Sequence, residues 1–245
     1  MSDSSDPGGL RRPRAILLDY GGTLVDEVDY DPVAGNRALL ALALPMPPGL
    51  TLDDVMARAT RVTAEVAARR DMFGIETPWP SLTRLIHDQL GTRFTRPMDE
   101  LERAFWDASM ATREMAGARA ALDAFHAAGI PVAVLSNSSF ASETIRHEIA
   151  KHGLADHLAF VMVTADYVVR KPNRLLFEVA AARLGVAPRD VWFVGDRLDT
   201  DVAGAKASGM VAVWLQPAGA GPSSDADLTV HDWTELLRSF QEARG

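Results

Sequence analysis

Short, unbroken apolar runs alternate with amphipathic stretches along most of the chain, and the stretch where this alternation lapses divides it. Ala15-Ile16-Leu17-Leu18 runs straight into Asp19 and is followed by the turn-forming pair Gly21-Gly22. A continuous apolar run closed by a turn signal predicts a strand buried on both faces. Similar runs at 130–135, 160–164, 191–194 and 211–215 predict further strands. Between them, 116–128, 140–152, 173–184 and 202–208 read as helices, three of them closed by Gly129, Gly153 and Gly185, and 233–243 gives a last helix. Strands alternating with helices of this length predict an α/β fold with a doubly wound, mostly parallel, Rossmann-like sheet.

The alternation lapses between Val25 and Thr112, where strand-like runs vanish. Val55, Met56, Ala59, Val62 and Val66 mark a helix over 52–70, opened by Thr51 and the acids Asp53 and Asp54. Segments 81–90 and 97–110 give two more helices, separated by proline-rich breakers at 45–49 and 77–80. The expected organisation is a core built from 13–25 and 113–245, an inserted α-helical unit over 26–112, and a flexible tail over 1–12. That tail is rich in Ser, Asp, Gly and Pro and lacks the apolar stretch of a secretory signal.

Composition narrows the partners. A net charge of -8 over 245 residues argues against a nucleic-acid or membrane-surface binder, while leaving room for a local basic pocket. The chain has no cysteine, which removes disulfides, thiol catalysis and thiolate metal sites. No apolar run is long enough to span a membrane. Together these favour a cytoplasmic protein; the oligomeric state stays open.

The chemistry gathers at the ends of the predicted strands. Asp19, Ser136, Lys171, Asp196 and Asp201 all follow apolar runs or their loops, and in a doubly wound sheet such positions converge on one crevice. Clustered carboxylates repel unless a cation neutralises them, and hard oxygen donors suit Mg²⁺. Lys171 adds a positive charge and Ser136 a neutral donor. The set could hold a tetrahedral oxyanion beside a metal and a nucleophilic carboxylate.

The same residues resemble, in order, the four motifs of the haloacid dehalogenase (HAD) superfamily. Asp19-Tyr20-Gly21-Gly22-Thr23 is similar to motif I, Val132 to Asn137 to motif II, Arg170-Lys171-Pro172 to motif III, and Gly195-Asp196 through Asp201 to motif IV. The resemblance implies a type 1 capped hydrolase of phosphatase type, the helical unit being the cap. It implies Asp19 as nucleophile, assisted by Lys171, and Mg²⁺ held by Asp19, the Gly21 carbonyl, Asp196 and Asp201. Thr23, Ser136, Asn137 and Lys171 would bind a small phosphorylated substrate.

One position departs from the pattern. Gly21 stands where most phosphatases of the superfamily carry a second aspartate, the general acid. General acid–base catalysis is typically worth about 10²–10⁴-fold, so the loss weighs most on poor leaving groups. Dehalogenase and phosphonatase branches also lack that aspartate. However, dehalogenases lack the full acidic motif IV, and the Schiff-base lysine of phosphonatases has no counterpart in 26–112. Asp26, Glu27, Asp29, Glu65 and His87 are the candidate substitutes. The alternative reading is a weakly active or inactive protein that binds a phosphorylated ligand or partner.

Blander roles compete at several positions. Asp201 could cap the helix after it, Asn137 could shape its turn, and Asp199 reads as solvated. Trp79, Phe105 and Trp106 read as packing. Arg58, Arg61, Arg69 and Arg70 read as a solvated helix face, and His126, His147 and His152 as surface residues.

Overall fold

The computed structural model describes residues 10–244. In chain order its elements are β1 (Ala15–Leu18), β2 (Val25–Tyr30), α1 (Pro32–Leu42), α2 (Leu52–Phe73), α3 (Trp79–Gln89), α4 (Met98–Ser109), β3 (Met110–Glu114) and α5 (Ala118–Ala127). They continue with β4 (Val132–Ser136), α6 (Ser142–Lys151), β5 (Leu158–Val163), α7 (Arg174–Leu184), β6 (Val191–Gly195), α8 (Ala203–Ala207), β7 (Val211–Leu215), β8 (Leu228–Val230) and α9 (Trp233–Glu242).

Six strands form a parallel sheet in the order β5-β4-β1-β6-β7-β8, as the doubly wound reading expects. The period-two alternation of β1 shows why both faces are apolar. Ile16 and Leu18 point into one cluster with Phe125, Trp233 and Phe240 from α5 and α9. Ala15 and Leu17 point into the other, with Leu176, Phe177 and Ala205 from α7 and α8. Burying a side chain of this size stabilises the fold by about 1.5–3 kcal/mol, so the central strands had to be near-continuous apolar runs.

The structure departs from expectation in three ways. Val25–Tyr30 and Met110–Glu114 are strands, paired antiparallel, and they lead into and out of the helices. The expected boundaries at 25/26 and 112/113 therefore fall inside this ribbon. Its strands read VDEVDY and MATRE, mostly polar and largely solvent-facing, so they carry no apolar run to betray them. A fourth helix, α1, precedes the three expected, capped by the Asp31 side chain with Pro32 in its first turn. The edge strand β8 is only three residues long, Leu-Thr-Val, too short a run to signal a strand.

The α2 helix has the expected start: Thr51 Oγ1 accepts from the Asp54 N–H while Asp54 reaches back to the Thr51 N–H, a capping box. Trp79 and Phe105 pack into an aromatic cluster with Phe140, and Trp106 stacks edge-on to the same Phe140 ring. Most of the expected tail, 1–9, lies outside the described residues. Residues 10–12 are tied down rather than loose: Arg12 N–H donates to Arg244 O at 2.7 Å, and its guanidinium lies 4.5 Å from the centroid of Phe240. No described helix is long and apolar enough to cross a membrane.

Candidate active site

Strand order reverses about β1, whose neighbours β4 and β6 belong to opposite halves of the winding. The crevice at the carboxyl ends of these strands is where such sheets bind ligands. Asp19 continues the ladder by one residue, its N–H donating to Val194 O at 2.9 Å. The chain then turns sharply at Gly22, whose φ of +72° favours glycine. A Cβ at Gly22 would lie 2.7 Å from Asp196 Oδ2, so that turn also lets β1 and β6 bring their acids together.

Lys171 arrives from the loop between β5 and α7 and is buried. Its Nζ donates to Asp19 Oδ1 and contacts Asp201 Oδ1, each at 2.7 Å, and donates to Leu135 O at 3.0 Å. Burial disfavours the ammonium, yet Asp19 and Asp201 together hold its pKa above the ordinary lysine value. Asn137 brackets this loop: its Oδ1 accepts from Lys171 N–H at 2.8 Å and its Nδ2 donates to Lys171 O at 3.4 Å. Its side chain positions Lys171 even as it lines the cavity.

Asp201 sits in a π-type turn over Leu198–Val202 and is completely buried. Its Oδ2 accepts from the Arg197 N–H at 3.1 Å. Its carboxylate is thus engaged by Lys171 and the Arg197 backbone, and it does not cap α8. Oxygens of Asp19, Asp196 and Asp201 lie within 4.8 Å of one another. Burial pushes the carboxyls of Asp196 and Asp201 above the usual range and the Asp19 charge adds to it, with Lys171 opposing. Asp196 Oδ1 is buried without a hydrogen-bond partner among the described residues. Hard oxygen donors, surplus negative charge and an orphaned carboxylate oxygen fit a divalent cation such as Mg²⁺.

Asp19 and Asp196 open onto a cavity of about 1090 Å³ that Gly21, Ser136, Asn137 and Lys171 also line, while Asp201 lies buried behind its wall. Thr23 is not on its wall. It is fully buried behind the turn, where the Trp233 indole N–H donates to its carbonyl at 2.9 Å. Arg197 and Asp199 pair with each other at the rim, as exposed side chains. Arg70 also lines the cavity, beyond the solvated role expected of it, and pairs with Asp71.

Glu76 and Arg170 form the part of the wall that the sequence reading overlooked. Glu76 lies in the helical unit, is buried, accepts from Thr164 Oγ1 at 2.8 Å and pairs with Arg170. A lone Glu between proline breakers carries no signal in the sequence, so only the packing reveals it. A second cavity of about 480 Å³ lies within the helical unit, and Tyr30, Arg70, Glu76, Ser139 and Phe140 border both.

The candidate acids disperse. Asp26 pairs with Arg113 and Glu65 with Arg69, while His87 is buried in α3 against Thr92. Only Glu27 of the five lines the Asp19 cavity.

The model of the haloacid dehalogenase-like hydrolases matches residues 13–209, and the chain belongs to that family. It is 34% identical over 113 residues to a phosphoserine phosphatase of Thermus thermophilus, a match covering 44% of each chain. It is 28% identical over 216 residues to a phosphoglycolate phosphatase of Xylella fastidiosa, covering 86% of this chain and 84% of that one. Among the first curated relatives the match spans from 24% to 58% of the relative's length. A crystal structure of a HAD phosphatase from Thermococcus onnurineus superposes with a TM-score of 0.66 at 25% identity, covering 94% of this chain and 99% of that one.

Proposed function

We propose that this protein is a Mg²⁺-dependent phosphatase that hydrolyses a small phosphorylated metabolite through an aspartyl phosphate on Asp19. The observation that carries the reading is the meeting of Asp19, Asp196, Asp201 and Lys171 at one strand-end crevice, with the three carboxylates within 4.8 Å. The phosphatase names of its relatives support the same reaction class.

In this reading a carboxylate oxygen of Asp19 attacks phosphorus and the bond from phosphorus to the leaving oxygen breaks. That oxygen takes a proton and departs as an alcohol. Water then attacks phosphorus, inorganic phosphate leaves, and the Asp19 carboxylate is regenerated. Lys171 engages Asp19 Oδ1, leaving Oδ2 without a hydrogen bond among the described residues. This orients the nucleophile while holding its charge. Asp19, Asp196, Asp201 and the Gly21 carbonyl would hold Mg²⁺, which supplies charge neutralisation for the transferred group when bound. Ser136 contributes a donor on the wall, and Asn137 acts through Lys171.

The helical unit serves as a type 1 cap. Its Glu76 and Trp79 segments are stitched to the core at Arg170 and Ser139, which supports a cap that would exclude bulk water from the crevice. The adjoining cavity inside it receives the part of the substrate remote from phosphate.

The test is phosphate release from p-nitrophenyl phosphate and acetyl phosphate, with and without Mg²⁺, for the wild type and Asp19→Asn. Metal-dependent turnover lost in Asp19→Asn is the expected result. Gly21 motivates a second reading, a binder of phosphorylated ligands. It predicts no wild-type turnover, with inorganic phosphate still bound by Asp19→Asn.

A further inference from the structure

Gly21 is not required by its backbone. Unlike Gly22, it does not adopt the positive φ that side chains avoid. What fills the space of a side chain there is another carboxyl. A Cβ built on Gly21 would stand 3.3 Å from Glu27 Oε1, 3.5 Å from its carboxyl carbon and 3.9 Å from Oε2. An aspartate would carry its own carboxyl carbon one single bond further, about 1.5 Å beyond that Cβ. Glu27 therefore delivers a carboxyl to the region a residue-21 aspartate would reach.

We propose that Glu27 is the catalytic acid and base of this site, replacing from β2 the carboxyl that Gly21 lacks. The proposal rests on the phosphatase reading above.

Two further observations bear on it. Glu27 lines the same cavity as Asp19, and the β2–β3 pairing is irregular between Glu27 and Asp29. Bulges of this kind re-aim side chains and recur beside active sites. The Glu27 side chain has no ion pair or hydrogen bond among the described residues, whereas Asp26 is committed to Arg113 and Glu65 to Arg69; Asp29 is also unpaired but does not line the cavity. His87 is committed to Thr92 inside the helical unit.

The proton balance is simple. The Glu27 carboxyl gives its proton to the leaving oxygen as the bond to phosphorus breaks. The resulting carboxylate takes a proton from the attacking water as the aspartyl phosphate is cleaved, which restores the starting state.

The test compares kcat/KM for phenyl phosphate, a poor leaving group, with p-nitrophenyl phosphate, a good one. The variants are Glu27→Gln, Gly21→Asp and the double variant, with circular dichroism as the folding control. In Glu27→Gln, kcat/KM for phenyl phosphate should fall by about 10²–10⁴-fold. The fall for p-nitrophenyl phosphate should be much smaller. Slow cleavage of the intermediate should also give p-nitrophenol in a burst of about one equivalent per enzyme. Gly21→Asp in the Glu27→Gln background should restore phenyl phosphate hydrolysis, a rescue that a structural role for Glu27 does not predict. An unchanged kcat/KM, or an equal fall for both substrates without rescue, overturns the role of Glu27 while the phosphatase reading stands. A wild type that hydrolyses neither substrate overturns both.

Discussion

Lys171 Nζ lies 2.7 Å from Asp19 Oδ1 although 152 residues of chain separate the two. The same ammonium lies 2.7 Å from Asp201 Oδ1, so one buried cation balances two carboxylates from different strand ends. Removing one partner of a buried ionic cluster typically costs about 3–5 kcal/mol, because the remaining charges are left uncompensated. Lys171→Met should therefore abolish turnover and lower stability by about that amount. Urea unfolding of wild type and variant checks it, and a variant as stable as wild type contradicts the arrangement.

The orphaned oxygen of Asp196 leads to a second expectation. A ligand that binds only the folded state stabilises it by RT ln(1 + [L]/Kd), about 2.7 kcal/mol at a hundred times Kd. Saturating Mg²⁺ should raise the melting temperature of the wild type. Asp196→Asn should lose most of that rise, having surrendered one of the negative charges that would hold the cation. Gly22→Ala should lose it as well, since its added methyl would crowd Asp196 Oδ2 at 2.7 Å. Titration calorimetry with Mg²⁺ alone reads both variants without relying on activity.

Why some of this was legible in the sequence follows from burial. The strands β1, β4, β6 and β7 lie between two helical layers, so nearly every position had to be apolar, and each is followed by a turn or a polar site residue. Asp19, Ser136, Lys171 and Asp196 could be named because the fold itself brings strand ends together. The β2–β3 ribbon could not be seen, because two largely exposed strands satisfy each other's backbone without an apolar face. The placement of Glu27 depends on that ribbon, so it was one of five equivalent acids until the pairing was known. Thr23 is the converse case: its motif position was plain, yet its burial behind the turn was not.

Glu76 is one of the points that tie the helical unit to the core, beside Glu102 and Trp106 of α4, which bond Thr144 and Glu148 of α6. Beyond Thr164 and Arg170, the neighbouring backbone is stitched as well: Arg170 N–H donates to Gly74 O at 3.0 Å, next to Lys171 in sequence. Glu76→Ala strips a buried acceptor from both Thr164 and Arg170. An unsatisfied buried partner costs about 1–3 kcal/mol, and the loss should fall on this junction. Hydrogen exchange should quicken in 74–79 and 168–171 while β1 and β4 stay protected. Uniform exchange across the molecule would show that the helical unit is not held there.

Acid sensitivity should come in part from His87. Its ring is buried, Nδ1 meets Thr92 Oγ1 at 2.7 Å, and Nε2 has no partner among the described residues. Burial pushes its pKa from 6.5 down to about 4, with the Asp88 charge opposing. The unfolded chain therefore takes up a proton at this position before the folded one does. Its contribution is fully present above pH 6.5 and is lost as pH falls towards about 4. Over that whole window the loss amounts to about 3 kcal/mol. Between pH 7 and pH 5 the wild type should lose about 2 kcal/mol more than His87→Leu in urea unfolding. The comparison of slopes cancels whatever the substitution costs at neutral pH. Equal losses in the two proteins would mean that the imidazole is protonated as readily in the folded state as in the unfolded chain, and that its buried setting exerts no pull on its charge.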